Sequence, residues 1–538
     1  MRTDNKYLSL LWPSARSSTD VPAQTWTDLG IGRIAEALTL DQRRAAAIET
    51  IVRRMPVDET TIGYRLDITR ALLGFPRLGD AFLQLVPMVE RLRSYVYRPD
   101  RFDWTPLQTT IWRIRELEHY VRLLDILADG FESVDGELGS EGLCRLRDMV
   151  ERSRSSTLFR RLQTELPSLL ETAGSFRSIA VGINLDGGLD PIEATILAVG
   201  TVPYKGNGLA GRLLSDSNHA GVARLHSAVS EDVATNPMLV PLFKDLSDIM
   251  QKAARPLAAA LSEFVGLHTR NLVAISDELV FYAGAVELAR NLVRAGFPVC
   301  HPKLVEAGGA ALEARGLYNL DLAIRRITAA RSDAADVVSS DIDLPGRESI
   351  AIVTGPNSGG KTTFLQGVGL AQVVTQLGLF APAERYALAP VDSILTHYPA
   401  LEKMEDETGR FAEEAVRLRD LLVGVTGRSL VLLNETLSST AMAEAVFMAV
   451  DVLDLLLEAG CRVVYVTHLH DLARMSRGGV VSLVAGMRGE PPHLLPTYRI
   501  EPGQPQGRSY AAALAARCGL DPDALRRVRG SLPAVAAG

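Results

Sequence analysis

The stretch GPNSGGKTT, Gly355 to Thr363, satisfies the pattern GxxxxGK[ST], whose residue types answer the demands of a bound triphosphate. Gly355, Gly359 and Gly360, with Pro356, Asn357 and Ser358 between them, allow the backbone to curl until its N–H groups face phosphate oxygens. Lys361 is expected to meet the β and γ phosphates, the Thr362 hydroxyl to ligate Mg²⁺, and Thr363 completes the loop. Downstream, SLVLLNETLSST places Asn434 and Glu435 at the end of an apolar run. Glu435 is the natural general base or water-positioning group. Asn434 can accept a hydrogen bond from a Mg²⁺-bound water but lacks the charge that draws the cation in, so weaker Mg²⁺ affinity or slower turnover is expected. In RVVYVTHLHDL, His468 follows another apolar run, where a neutral imidazole can hydrogen-bond a γ-phosphate. His470 makes an HxH pair, which without a third ligand is no metal site.

These residues need a frame. SIAIVT before the loop reads as a strand and FLQGVGLAQVVTQLGL after it as a helix, the context the loop requires. Short β runs at Ser349 to Val353, Leu430 to Leu433 and Arg462 to Val466 alternate with helical segments, which predicts a parallel α/β domain from about residue 336 to 538. Within it, EDETGRFAEEAVRLRDLL is a Gly-Arg turn opening a helix whose amino terminus is free to receive a phosphate from elsewhere. Residues 1–45 read as a peripheral segment, with Ile31, Ile34 and Leu38 at helical spacing, and 46–335 as a helical domain. SIAVGINL and IEATILAV, separated by DGGLDP, predict a β-hairpin inserted at about 176–205. Leu261, Val265, His268, Leu272, Ile275, Leu279, Tyr282, Val286, Ala289 and Val293 step by four and three, which predicts one long lever helix over about 257–294. His268 in that seam is a packing residue.

The 538 residues suit several structural units, and 47% hydrophobic with 22% charged residues excludes a disordered or collagen-like chain. With 57 Lys+Arg against 64 Asp+Glu, net −7, there is no broad basic field of the kind that coats nucleic acid. Cys144, Cys300, Cys461 and Cys518 are scattered and indicate neither a disulfide framework nor a zinc module. The apolar patch near the amino terminus is short and broken by Pro13, and no long charge-free apolar span follows, so a soluble, cytoplasmic protein without a membrane segment is expected.

Taken together, the chain resembles the MutS family of ABC-type ATPases. The resemblance rests on GPNSGGKTTFLQGVGLAQVVTQLGLFAPA, the signature-like GRFAEE, LVLLNETLSST and VTHLHDL, in the family's order and spacing, and more loosely on VDETTIGYRLDITRALL, GINLDGGLDPIEATIL and GRSYAAALAARCGLDPDALRRV. It implies a multidomain fold: an α-helical core and lever domain with a small inserted β-hairpin clamp, then a carboxyl-terminal α/β P-loop ATPase domain with a helical dimerisation segment. It also implies a homodimer with composite sites for ATP and Mg²⁺, in which Gly409, Arg410 and Phe411 meet the nucleotide of the other subunit. The position where relatives stack an aromatic on adenine falls near Val337, where only apolar packing is available. No aromatic-wedge motif Phe-x-Glu occurs in the first 60 residues, so direct mismatch recognition is not expected. Neither is a nuclease-like domain, which sets aside the recombination- and ribosome-associated branch. The function expected is ATP hydrolysis driving lever movement on DNA or a DNA-processing assembly, with Arg177, Lys205 and Arg212 as contacts near the hairpin. The alternative is a nucleotide-gated module with slow or no hydrolysis that clamps a protein or ribosomal partner.

Overall fold

The structure, a computed structural model, describes residues 8–13, 17–97, 106–174, 178–188, 191–200, 202, 258–264, 269–305, 312–329, 337–344, 349–399, 410–474, 479–489, 495–505 and 526. In chain order the first elements are β1 (Ser18–Asp20), α1 (Ala23–Leu29), α2 (Ile31–Leu38), α3 (Ala45–Arg53), β2 (Arg54–Pro56) and α4 (Glu59–Gly74). There follow α5 (Pro76–Val96), α6 (Pro106–Glu132), α7 (Glu141–Ser155), α8 (Thr157–Gly174), the strands β3 (Ser178–Leu185) and β4 (Pro191–Gly200), then α9 (Thr269–Ala274) and α10 (Ser276–Arg294). The carboxyl-terminal part runs β5 (Lys303–Leu304), β6 (Leu312–Leu317), α11 (Leu320–Thr328), β7 (Ser340–Leu344), β8 (Ile350–Thr354), α12 (Lys361–Gln376), β9 (Arg385–Leu388), β10 (Ile394–His397) and α13 (Arg410–Val423). It ends with β11 (Leu430–Asn434), α14 (Met442–Glu458), β12 (Arg462–Val466), α15 (His470–Arg474), β13 (Val480–Arg488) and β14 (Leu495–Pro502).

Contacts divide the chain into two compact units, one of Met1–Val86, Ser133–Arg145 and Asp277–Gly538, the other of Pro87–Glu132 and Leu146–Ser276. This division differs from the one at 335/336 read from the sequence, because the first unit gathers helices from the whole upstream half. In the second unit α6 packs on α8, and the Thr269 hydroxyl of α9 donates to Glu116 of α6, which also pairs with Arg113. There β3 and β4 pair antiparallel, as the DGGLDP turn predicts, with register shifts at Ala180/Val181 and Asn184/Leu185.

The first unit is organised on a six-stranded sheet of order β10-β11-β12-β8-β13-β14. Five strands are parallel, but β14 runs antiparallel to β13, so the sheet is mixed rather than parallel throughout. The short link from β13 to β14 allows only a hairpin return, since a parallel partner would need a crossover of a dozen or more residues. β8, β11 and β12 are buried at all five positions, as strands covered on both faces must be. One face carries a core of Ile350, Ile352, Val431, Leu433, Val463 and Tyr465 under Leu418 of α13 and Ala445, Ala449, Leu453 and Leu456 of α14. α12 packs on β11 and β12. A second sheet, of order β5-β9-β6-β7, belongs to the same unit. Among the described residues no helix is long and apolar enough to cross a membrane.

Two expectations are corrected. The described part of residues 1–45 is not peripheral. α12 is apolar on nearly every side and buried from Gly367 to Gln376, so its flank on the β10 side needs a cover. α1 supplies it: Thr25 Oγ1 donates to the Ile394 carbonyl at 2.8 Å, Gln366 Nε2 donates to the Asp28 carbonyl at 2.9 Å, and Leu29 is 1% exposed. A Cβ on Gly369 would lie 2.7 Å from both Leu29 and Leu432, so glycine lets these two side chains meet across α12. Further upstream, Glu278 accepts from the N–H groups of Leu10 and Leu11, and the hydroxyls of Tyr64 and Tyr282 donate to the Ser9 and Leu10 carbonyls. Nor is the lever one unbroken helix. α9 ends at Ala274, Ile275 is a turn, and α10 begins with Ser276, Asp277 and Glu278, a polar and acidic triplet of the kind that starts a helix rather than continues one. Residues 257 and 265–268 lie outside the described residues.

Leu29→Ala should therefore cost about 2–5 kcal/mol, the usual loss for a buried leucine. Denaturant unfolding checks this; a midpoint equal to that of the wild type would return the segment to the periphery.

Candidate nucleotide site

The site begins where β8 delivers the chain at Thr354 and α12 takes it up at Lys361. Gly355 has φ +134°, open to glycine alone, and a Cβ on it would stand 2.8 Å from the Ala485 Cβ of β13. Gly360 has φ +88° and directly precedes the helix, while Ser358 between them has φ +64°. The Gly359 N–H donates to the Pro356 carbonyl at 3.2 Å. The turn is thus tight at Gly355 and Gly359, where Ala485 of the neighbouring strand leaves little room for a side chain.

Lys361 is only 4% exposed. Its Nζ donates to the carbonyls of Gly355 at 3.0 Å and Pro356 at 2.9 Å, and among the described residues no carboxylate pairs with it. Burial pushes its pKa down, and the charge of Glu435 acts in the opposite sense. A buried ammonium that has exchanged water for two neutral carbonyls gains strongly from an anion. With the amino terminus of the 16-residue α12 beside it, this cradle suits a phosphate by its own chemistry.

Around this cradle the fold gathers the predicted residues of β11 and β12. The Thr362 hydroxyl donates to Asn434 Oδ1 at 3.1 Å, which joins the two residues assigned to Mg²⁺. Glu435, just past β11, holds φ +50° and accepts from His468 Nε2 at 3.0 Å. The His468 hydrogen bond holds the Glu435 carboxyl below its usual range, against the opposing effect of burial. Parallel pairing of β11 with β12, Asn434 opposite Val466, brings the two strand ends level. Among the described residues no three or more His, Cys, Asp or Glu cluster as a metal site, so the HxH pair stays without a third ligand. Of the signature residues, Arg410 opens α13 and Phe411 is 37% exposed, while Gly409 lies outside the described residues, as do Arg177, Lys205 and Arg212.

A cavity of about 390 Å³ adjoins the loop, lined in part by Tyr318, Asn319, Arg326, Phe364 and Tyr498 together with Gly360 and Thr363. Val338 lines it, whereas Val337, the residue picked from the sequence, is buried. Motif reasoning found Gly360 and Thr363 but missed Tyr318, Asn319, Arg326, Val338, Phe364 and Tyr498. Asn319 had a signal, since its Oδ1 accepts from the Leu322 N–H at 2.9 Å as the cap of α11, and its Nδ2 donates to the Thr363 carbonyl at 2.8 Å. Tyr498 had none. It sits on β14 at φ +61°, and its carbonyl lies 3.3 Å from where a Cβ on Gly360 would be.

Comparison with known proteins bears on the same segments. Residues 351–533 match MutS domain V, and residues 57–295 match the MutS2 N-terminal domain. The chain belongs to the MutS family. Similar MutS-family proteins include one named Endonuclease MutS2 from Thermus thermophilus, 36% identical over 198 residues that make up 37% of this chain and 26% of that protein. Another of that name, from Thermomicrobium roseum, is 32% identical over 273 residues, 48% of this chain and 34% of that protein. A third, from Lacticaseibacillus casei, is 28% identical over 314 residues, 58% of this chain and 38% of that protein. The matched part of the chain thus spans between a quarter and two fifths of these relatives' length. The expectation that set aside the nuclease-bearing branch is corrected, because the match to the MutS2 N-terminal domain places this MutS-family chain beside relatives named as endonucleases.

The depressed pKa of Glu435 has a definite sign. Its stabilising effect is complete above the ordinary value of 4.5 and fades as pH falls through the lower folded value. The melting-temperature advantage of wild type over Glu435→Gln should therefore shrink from neutral to acidic pH, and should be smaller and fade at higher pH in a His468→Ala background. A difference independent of pH would show that the carboxylate is not held by His468.

Proposed function

We propose that this protein binds and hydrolyses ATP as a homodimer with composite sites, and uses nucleotide-driven movement to engage DNA or a DNA-processing assembly. The observation that carries the reading is the buried Lys361 ammonium, which among the described residues donates to two carbonyls of a turn with no room for a side chain at Gly355. A triphosphate is the natural anion for a turn of this kind at a helix start. Lys361 and the N–H groups of Gly359 to Thr363 would bind phosphate oxygens. Thr362, by its hydroxyl, and Asn434, through water, would hold Mg²⁺, which neutralises charge on those oxygens. Glu435 orients the attacking water and takes up its proton, and His468 keeps that carboxylate ionised and aimed. The cavity beside Gly360 would take the base and ribose, with Tyr498 and Phe364 as apolar walls and Asn319 and Arg326 as polar ones.

The composite site draws on Gly409, Arg410 and Phe411 of the second subunit, and the partial exposure of Phe411 at the start of α13 agrees with that use. DNA as the partner is supported by family membership and by the MutS2 relatives. One observation favours the second reading, a nucleotide-gated clamp on a protein or ribosomal partner with slow hydrolysis: Asn434 adds no charge, and its Oδ1 is already engaged by Thr362.

Lys361→Ala should abolish ATP binding measured by equilibrium dialysis. Glu435→Ala should bind ATP and turn it over about 100- to 10,000-fold more slowly than wild type; a wild type that binds tightly and turns over no faster than Glu435→Ala would favour the clamp. DNA affinity that falls steeply with added salt is expected, and none for duplex, branched or single-stranded DNA at low ionic strength would remove nucleic acid from the reading.

A further inference from the structure

The turn after Glu435 is strained and tied down. Glu435 at φ +50° and Leu437 at φ +68° both occupy the left-handed region without being glycine. Such conformations persist only where surrounding contacts over-determine them. Here the Tyr465 hydroxyl donates to the Thr436 carbonyl at 2.7 Å, His397 Nδ1 meets Thr436 Oγ1 at 2.9 Å, and the Glu435 N–H donates to the Val466 carbonyl at 2.8 Å. The remaining anchor is one side chain of α13. Glu414 Oε1 accepts from the Leu437 N–H at 2.6 Å, and Oε2 accepts from the Ser439 hydroxyl.

Glu414 is 7% exposed, and among the described residues no Lys or Arg pairs with it; burial pushes the pKa of the nearby His397 imidazole down, which favours its neutral form. A carboxylate buried in this way is costly unless its oxygens are fully hydrogen-bonded, and both are committed to the turn. An apolar side chain at this position would pack α13 on the core as Leu418 does, without that cost. The carboxylate therefore serves the geometry of the turn rather than burial. We propose that Glu414 is a positioning residue for hydrolysis, fixing the left-handed backbone from which Glu435 is aimed and joining it to the helix that opens at Arg410. This rests on the ATPase reading above.

The test compares steady-state ATP hydrolysis and binding of a fluorescent ATP analogue in wild type, Lys361→Ala, Glu414→Ala, Glu414→Gln and Ser439→Ala. Misplacing the carboxylate should lower kcat about 10- to 100-fold in Glu414→Ala, with KM and analogue affinity within about twofold of wild type. Glu414→Gln, which keeps an oxygen for the Leu437 N–H, should recover most of the loss, and Ser439→Ala should show a smaller fall. Adding Ser439→Ala to Glu414→Ala should cost nothing more, because the two share one contact. Full kcat in Glu414→Ala, or a parallel loss of affinity and melting temperature, would overturn the role. If Glu414→Ala fails to fold, full kcat in both Glu414→Gln and Ser439→Ala overturns it. A wild type that neither binds nor hydrolyses ATP would instead remove the underlying reading and this role with it, whereas Lys361-dependent turnover unaffected at Glu414 removes this role alone.

Discussion

A positive charge held out of water governs the carboxyl-terminal half of this molecule. Lys361 sits at the first position of a helix buried along most of its length, and its ammonium touches only the carbonyls of the turn it closes. A cation in that setting is tolerable because the carbonyl dipoles converge on it, yet they leave its charge uncompensated. The surrounding architecture follows from keeping that arrangement in place. β8 must end at the turn, β13 must press Ala485 against Gly355 and Gly359, and α12 must be covered on its flank beside β10.

That last demand explains why the amino-terminal residues are part of the same body. An apolar helix covered by the sheet alone would expose its flank to water, and α1, seated on β10, closes one flank with Leu29. The buried amide of Gln376 on α12 is matched in turn. Gln376 donates to the Pro56 and Val391 carbonyls and accepts from the Val391 N–H, so three distant segments meet on one amide. Packing and hydrogen bonding thereby make the nucleotide cradle depend on residues more than 300 positions away in sequence.

The chemistry beside the cradle is spare in charge. Glu435 is a carboxylate at the strand ends, kept ionised by His468, while Asn434 contributes an oxygen without charge. Backbone strain at Glu435 and Leu437 is concentrated at the group that has to be aimed, and it is borne by side chains from α13, β10 and β12.

The sequence alone determined what depends on neighbours in the chain: the glycine turn and lysine of 355–361, the strand before it and the helix after it, the β-hairpin, and the grouping of Asn434, Glu435 and His468 at strand ends. Period, turn chemistry and motif spacing are local properties, and parallel strands of similar length bring their ends together once they pair. Only the tertiary structure decided that α1 covers α12, that β14 turns back antiparallel, that Ile275 interrupts the lever, and that Glu414 anchors the turn after Glu435. Each of these depends on which surfaces are left uncovered after distant segments have packed, and a pattern read along the chain carries no information on that.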